Sequence, residues 1–576
     1  MLLLVALAMP RQASAQTGAI RGTVTDSATG RGVPSAQVTI PGSTRGAVTD
    51  DQGRYTLGGL PAGSTTVSIQ RIGFAAAQRR VTIGGGETVT LDVVLRAVAT
   101  TLSEVVTIGY GTTSRANVTS AIATVDSSTF KNVPVVSIDN AVQGKIPGVQ
   151  VIQNSGEPGS GVALRVRGPA SLNAGNQPLY VVDGIPALQD NYEQLTSTSG
   201  QRQNPMSGIN PDDVERIDVL KDAAATAIYG SRGSNGVVLI TTKRGNVGNR
   251  MKFGLNTYAG SQSAEKQIAL LNAKQYIEVM NENRINRGLT PRYTLGVTDS
   301  IDVNWQDAIF RSAPIADVQV SMSGGTDRVR AYLSGASFNQ TGIVLGSQYK
   351  RQALRLNLDA NATSKLSFTS SIGLTREDND RVPGDLNVDG VVTNALAEQP
   401  FNPVYGRSFG FGGLQENVLY SNPVATATFS TINNTTLRAL GSLEARYAFT
   451  DRLTLTGRAG ADAYGLDELR WRSPKVDQAA GAAVGGQGSN GHTTATRYLM
   501  EAFGNYALLQ GERQNLGLTA GTSVEYNSSN LNFMTGDGFP TGVTTYVRSA
   551  AAISSYDGSA TSNNLVSFFT RATYSF

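Results

Sequence analysis

The 576-residue chain carries 48 Lys and Arg against 44 Asp and Glu, a net charge of +4, with no cysteine and one histidine, His492. Without cysteine there is no disulfide framework, thiol nucleophile or Cys-based zinc site, and one histidine excludes a His-dependent catalytic triad or a two-His metal site within one chain. The basic residues are spread rather than blocked, so nucleic acid is not an expected partner, and a charged fraction of 16% implies surface that faces something other than water.

At the start, the apolar run Leu2 to Met9 is followed by Ala13-Ser14-Ala15, the small-x-small pattern of a cleavage site. Residues 1–15 read as an export signal, although the positively charged segment that usually opens one is missing. Elsewhere no stretch approaches the roughly 18 to 20 apolar residues of a membrane-spanning helix. An exported chain that enters a membrane without such helices does so as a closed barrel.

Residues 18–96 hold short alternating runs such as Ile20 to Val24, Ala36 to Ile40 and Thr65 to Ile69, separated by turn signals at Ala28-Thr29-Gly30, Asp51-Gln52-Gly53 and Pro61-Ala62-Gly63. Strands at this spacing predict a small β-sandwich. Asp51-Gln52-Gly53-Arg54-Tyr55 followed by Leu60-Pro61-Ala62-Gly63 resembles the carboxypeptidase-regulatory-like domain, which implies an accessory module and not a peptidase.

The next segment, Thr101 to Gly111, is β-prone, with Val105, Val106, Thr107 and Ile108 all β-branched. From residue 112 to 245 the pattern becomes mixed α/β. Asn210 suits a helix cap with Pro211 behind it and Asp212 and Asp213 in the first turn. A strand is predicted over 216–221, a short helix from Ala223 to Tyr229 stopped by Gly230, and a further strand from Gly236 to Lys243.

Four blocks in this region resemble the plug-domain signatures of SusC/RagA-type TonB-linked outer-membrane transporters: 141–149, Leu164-Arg165-Val166-Arg167-Gly168, Pro178 to Asp183-Gly184, and Ala227-Ile228-Tyr229-Gly230-Ser231-Arg232-Gly233. The similarity continues through Leu271 to Tyr276 and Trp305-Gln306-Asp307, then weakens. The resemblance implies that 101–111 is the TonB-box region, with Glu104, Val105, Val106, Thr107 and Ile108 as the contact that adds as a strand to TonB. The bland alternative is that this segment is the last strand of the sandwich or the first of the plug. The resemblance further implies an outer-membrane location, no enzymatic activity, TonB with ExbB and ExbD as the energy source, a SusD-like surface lipoprotein, and an oligosaccharide or peptide substrate.

The barrel signal is independent of that resemblance. In Val318, Val320, Met322, in Val329, Ala331, Leu333 and in Leu354, Leu356, Leu358, apolar residues alternate with polar ones such as Gln319, Arg330 and Arg355. The period of two recurs at Leu366 to Leu374, Leu437 to Phe449, Leu453 to Ala463, Leu516 to Tyr526 and Leu565 to Phe576, close to the 9 to 11 residues expected of a transmembrane strand. The expected architecture is mainly β: an N-terminal sandwich, a small α/β plug and a transmembrane antiparallel barrel over 251–576. About ten strand patterns fall short of the 22 strands that the resemblance implies, so the barrel is expected to be incomplete.

Three smaller features complete the reading. Arg165 and Arg167 would share one strand face and, with Asp183, pair with the barrel wall or bind substrate. Asp385, Asn387 and Asp389 match the first half of an EF-hand calcium loop, but position twelve is Leu396, so calcium is a weak candidate beside a plain Asp/Gly-rich loop. Gly156 to Gly161 reads as a turn and His492 as a loop residue. The competing function is a surface-exposed binding or adhesion protein without transport, which has no use for a plug and a TonB box; a hydrolase would need a carboxylate pair that the sequence does not assemble.

Overall fold

A computed structural model describes residues 17–576 apart from 28, 42, 44, 72–73, 97–104, 109–110, 115–121, 130–135, 154, 170, 172–174, 196–202, 204, 385–389, 406–420, 477–484, 512–513 and 541–545. The chain forms two compact units that divide near residue 106.

The first unit is a β-sandwich. One sheet takes the order β4-β1-β7, with β8 also on β1: β1 is Gly18–Asp26, β4 Arg54–Leu60, β7 Thr88–Thr90 and β8 Val93–Leu95. The other runs β3-β2-β5-β6, from Gly46–Val48, Gln37–Thr39, Gly63–Gln70 and Ala77–Ile83. Alternate residues point inward, so Ile20, Val38, Leu57, Val67 and Ile69 make the core. Thr49 ties the turn ahead of β2 by accepting from Ala36 N at 2.7 Å and donating to Val33 O at 2.6 Å. At the exposed turn before β4, backbone and side-chain donors of Arg54 hold the Asp50 carboxyl below its usual range.

At the junction of the units, β9 (Val105–Ile108) and β10 (Gly111–Ser114) form a two-stranded sheet. Glu104 lies outside the described residues.

The second unit begins with a five-stranded sheet in the order β11-β16-β17-β14-β15: Ile122–Asp126, Val214–Leu220, Val237–Thr242, Leu179–Val182 and Ile185–Pro186. A hairpin of β12 (Val149–Gln153) and β13 (Val162–Val166) and the short helix α1 (Ile138–Ala141) cover it. The predicted helix from Ala223 to Tyr229 is shorter than expected: α2 spans Ala223–Thr226, and a 3-10 segment with a left-handed kink at Gly230 (φ 63°) follows. Glycine takes that conformation without the steric cost a side chain incurs.

Around this domain stands a ten-stranded antiparallel sheet, each strand paired to the next: β18 Gly248–Gln262, β19 Ala313–Gly325, β20 Val329–Thr341, β21 Gln348–Asn361, β22 Leu366–Arg381, β23 Ser430–Ala448, β24 Leu453–Arg472, β25 Gln487–Gln510, β26 Asn515–Asp537 and β27 Ala552–Ser575. These strands run from 13 to 24 residues, longer than the sequence pattern predicted, because they continue past the apolar band. β18 and β25 escaped the period-two reading. In β25 the inward face is itself partly apolar, since Leu499 packs against the plug core, so the alternation is blurred.

Burial in this sheet is inverted relative to a soluble fold. Val318, Val320, Leu354, Leu356 and Leu443 are exposed on one face, while Gln319, Arg355, Asn357 and Arg438 are buried on the other. That is the signature of a sheet with lipid outside and polar contents inside. Tyr498 stacks on Tyr526 at 6.4 Å near one edge of the outward apolar band, and Tyr447, Phe449, Tyr506 and Tyr574 mark the other. Tyr498 and Tyr506 on β25 are roughly 26 Å apart along the strand at about 3.3 Å per residue, or ~20 Å of height at a ~40° tilt, near the expected membrane band.

The connections at 326–328, 362–365, 449–452 and 511–514 are short, whereas all but one at the opposite end are long. Two of the long ones fold together there. α3 (Ala273–Asn286) opens with a capping box in which Asn272 Oδ1 accepts from Gln275 N at 2.9 Å and Asn272 N donates to Gln275 Oε1 at 3.1 Å. Trp305 and Ile309 of α4 (Trp305–Ile309) pack on α5 (Val391–Ala397) and α6 (Pro423–Phe429).

The sandwich residues 18–96 should fold alone with a cooperative urea transition, and Ile69→Ala, which empties a fully buried position, should lower stability by about 2–5 kcal/mol. Tyr55 adds a pH test. Burial, with Asp92 nearby, pushes its phenol up to about 12 from 10. The raised value favours the protonated folded form, so this stability is complete below pH ~10 and is lost as pH rises toward ~12. Tyr55→Phe should remove that part of the alkaline loss in a pH series of urea melts.

Candidate functional site: the plug and wall interface

The polar inner face of the sheet meets the plug through charged side chains that are nearly all buried. Asp213, which follows Pro211 in a single 3-10 turn, is the densest junction. Its Oδ1 accepts from Gln319 Nε2 at 2.7 Å, Tyr332 Oη at 2.9 Å and Ser334 Oγ at 2.5 Å, and its Oδ2 lies 3.7 Å from Arg355 Nε. Arg355 also lies 3.7 Å from Asp183 Oδ2, so one wall guanidinium faces two plug carboxylates.

Asp183 sits in the turn after β14 with φ 46°, a conformation Asp tolerates better than most residues. Its carboxylate accepts from Thr242 N at 3.0 Å and Thr242 Oγ1 at 2.7 Å, tying two plug strands, and from wall Ser371 Oγ at 2.7 Å. The next residue, Gly184 (φ 87°), must be small: a Cβ there would lie 2.8 Å from Arg458 Cζ. Asn210 is repurposed by the wall. Its Oδ1 accepts from Asp212 N at 3.4 Å and also from Arg351 Nη2 at 3.3 Å, while Arg351 Nη1 donates to Val136 O and Ser207 O at 2.9 and 2.8 Å.

Toward the long-loop end, Arg381 holds two plug segments at once, with Nη1 2.7 Å from Glu193 and Nε 3.2 Å from Glu157. All three side chains are at most 5% exposed, so neither carboxylate competes with much water. Glu157 lies in the 156–161 segment that the sequence suggested only as a turn. The apical backbone is bound as well: Asp462 accepts from Leu188 N at 2.7 Å, and Glu468 accepts from Gln194 N and Leu195 N at 2.7 and 3.1 Å.

The four signature blocks serve different ends. Arg232 pairs with wall Glu525, which also faces Arg497 at 3.4 Å. Tyr229 packs beside Leu179 and Leu220, Gly230 makes the kink, and Gly233 leaves room for Thr226 O, which a Cβ would approach to 2.7 Å. Arg165 and Arg167 do not share a strand face. β13 ends at Val166, Arg167 is left-handed (φ 59°) before Gly168, and its ion pair is with Asp222 inside the plug. Of the trio expected at the wall, Asp183 is the one the structure brings to a wall arginine.

His492 stands within β25 rather than in a loop, with Nδ1 2.6 Å from Asp467 Oδ1 of the neighbouring strand. Asp385, Asn387 and Asp389 lie outside the described residues; among the described residues, no group of three or more His, Asp or Glu is arranged to hold a metal ion. The wall arginines 351, 381, 438 and 458 were missed because only register reveals that they line one face. A usable signal existed for Arg438, which stands between Leu437 and Ala439, but not for Arg351 between Lys350 and Gln352.

Comparison with known proteins agrees with this geometry. Residues 114–237 match the TonB-dependent receptor plug domain and residues 19–96 the carboxypeptidase regulatory-like domain. The chain is 31% identical over 518 residues to TonB-dependent receptor P26 of Formosa agariphila, covering 89% of this chain and 49% of that one. It is 29% identical over 604 residues to TonB-dependent receptor SusC of Bacteroides thetaiotaomicron, covering 100% and 56%. The solved RagAB peptide importer in its open-open state aligns with a TM-score of 0.70 at 22% identity, over 82% of this chain and 55% of that one, a likeness of fold. The chain thus spans about half the length of the curated relatives it matches.

A plug seated in an outward-apolar antiparallel sheet defines a TonB-dependent receptor of the outer membrane. Within that class, the chain belongs to the SusC/RagA type.

Asp213→Ala should leave Gln319, Tyr332 and Ser334 without their shared acceptor and Arg355 with Asp183 as its one remaining plug carboxylate, and should loosen the plug by about 3–5 kcal/mol, the usual cost of breaking a buried pair, read as faster amide exchange across Val214–Leu220. Arg167→Ala removes a partly exposed pair and should cost no more than about 1 kcal/mol. Equal loosening in both variants would show that wall pairing does not hold the plug.

Proposed function

We propose that the complete protein imports a nutrient across the outer membrane by TonB-dependent transport, with the plug as gate. The carrying observation is the row of buried ion pairs and backbone hydrogen bonds that seats the plug against the sheet. A display or adhesion protein has no need to fill a polar lumen with a separately folded, charge-matched domain. The reading requires no enzyme chemistry. It is supported by the SusC and RagAB likenesses, whose names concern a receptor and a peptide importer; for this chain the cargo is an oligosaccharide or a peptide, captured with a SusD-like surface lipoprotein.

Energy enters at Glu104 to Ile108, where TonB, driven by ExbB and ExbD, takes the segment as an added strand. The extended backbone of Val105–Ile108 supports this, since strand addition draws its affinity from main-chain hydrogen bonds. Its pairing with Gly111–Ser114 means that TonB either uses the free edge or displaces β10.

In cells carrying the complete gene, Val106→Pro removes a backbone donor and restricts the preceding residue. Binding of labelled malto-oligosaccharides or peptides at the surface should persist while uptake falls to the level of a strain lacking TonB. Val106→Thr should keep most uptake. Normal uptake by Val106→Pro removes this segment from the mechanism, and co-purification of a lipoprotein encoded beside the gene tests the partner.

A further inference from the structure

The ten-stranded sheet carries a second site, on the face turned away from the plug. Register aligns Asn433, Leu469, Asn490, Met534 and Tyr556 in one row across five strands. The adjacent row holds Asp467, His492, Asn532 and Gly558. Glu468 and Thr493 have the opposite parity, and their side chains bond to Gln194, Leu195 and Tyr192 of the plug. Successive side chains alternate between faces, so both rows face outward.

The 3-10 turn Val547–Ser549 folds over these rows. Val547 N donates to Asn490 Oδ1 at 3.2 Å, and the Val547 side chain covers Gly536 so closely that a Cβ there would lie 3.2 Å from it. Between sheet and turn is a cavity of about 1360 Å3 to which Tyr546, Arg548 and Tyr556 contribute.

Its height matters. Above Tyr498 the outward residues of β25 become polar, through Thr496 and Thr494 to His492 and Asn490. His492 lies roughly 20 Å beyond Tyr498 along the strand at about 3.3 Å per residue, hence ~15 Å above the upper aromatic row at a ~40° tilt. The cavity therefore clears the hydrocarbon and opens at the level of the glycans that clothe an outer leaflet.

The lining selects among ligands. The Asp467 carboxylate, 2.6 Å from His492 Nδ1, opposes an anion that Arg548 would have to hold, and Asn433, Asn490 and Asn532 set among Leu469, Met534 and Val547 suit an amphipathic occupant better than a purely apolar one. Among the described residues no metal-binding cluster is present. What remains is planar amides and the Asp467 carboxylate, suited to pairs of vicinal hydroxyls, beside the exposed rings of Tyr546 and Tyr556, suited to the apolar faces of pyranose rings. We infer that this outward cavity binds an oligosaccharide, at a place separate from the lumen path.

Such a saccharide comes from one of two sources: a glycan anchored in the outer leaflet, or free glycan passing the cell. The complete protein in lipid nanodiscs is titrated by calorimetry with delipidated core oligosaccharide from rough lipopolysaccharide and, separately, with maltoheptaose. At least one should bind. Tyr556→Ala and Asn532→Ala should each weaken that binding roughly tenfold, and Tyr556→Phe by no more than about threefold, since it keeps the ring. Binding of the core oligosaccharide alone assigns the anchored source, and binding of maltoheptaose assigns the free one. Heat-modifiable migration on gels verifies that each variant is folded. No saccharide binding, or binding unchanged in folded Tyr556→Ala and Asn532→Ala, overturns the inference. Val106→Pro should bind with wild-type affinity, so failure of energy coupling and failure of this site are read separately.

Discussion

A sheet that turns its apolar side chains to lipid leaves its other face polar, and within a membrane that face must be answered by something polar of matching charge. Here the answer is the plug. Desolvating a guanidinium or a carboxylate costs several kcal/mol per ion, and a buried pair recovers this only when the remaining donors and acceptors are also used. Arg438 and Arg497 meet that condition through backbone as much as through charge, whereas Arg351 and Arg355 each keep a buried Nε without a hydrogen-bond partner. Arg438, whose pair with Asp462 lies within the wall at 2.6 Å, also donates to Leu188 O at 3.1 Å and Pro205 O at 2.5 Å. Arg497 donates to Ala187 O at 2.9 Å. Segments of plug without regular structure are thus bound by their main chain, which is why they can be irregular and still buried.

That arrangement divides the plug into parts held differently. The turns after β14 and before β16 are held by charge, at Asp183 and Asp213. The apical stretch from Ala187 to Leu195 is held largely by wall side chains that bond its main chain, with Glu193 as its charged anchor on Arg381. The internal Arg167 and Asp222 pair is more exposed than either and contributes little to seating.

Much of the fold was legible because lipid-facing strands announce themselves by period two, and because the turn chemistry of the sandwich is local. Eight of the wall strands could be located from Val318 onward by that period alone. The interface was not legible for the opposite reason. Leu188 and Asp462 are separated by 274 residues, and Ser207 and Glu377 by 170, so no local pattern connects them. Period two even misled at Arg165 and Arg167: the spacing was right for a shared face, but the strand ends between them and the left-handed turn sends Arg167 to Asp222. His492 likewise looked like loop because its neighbours are Gly, Ser and Thr, residues that the outward face of a strand standing above the membrane accepts freely.

The order of the plug sheet bears on how a pull from the N-terminal side would be received. β11 is an edge strand, paired antiparallel to β16 from Ile122 opposite Leu220 to Asp126 opposite Arg216, with Thr124 Oγ1 donating to Asp218 Oδ1 at 2.6 Å. A force arriving at Ile122 across the strand direction loads the end of this ladder first and opens the pairs in sequence rather than all at once. β16, in contrast, is central and is continuous with the Asp213 junction on the wall. Peeling β11 therefore leaves the charge-held part seated. Under the import reading, a passage opens at lower cost by stripping the edge of the plug than by extracting the whole domain, because extraction would break every buried ion pair between plug and wall together.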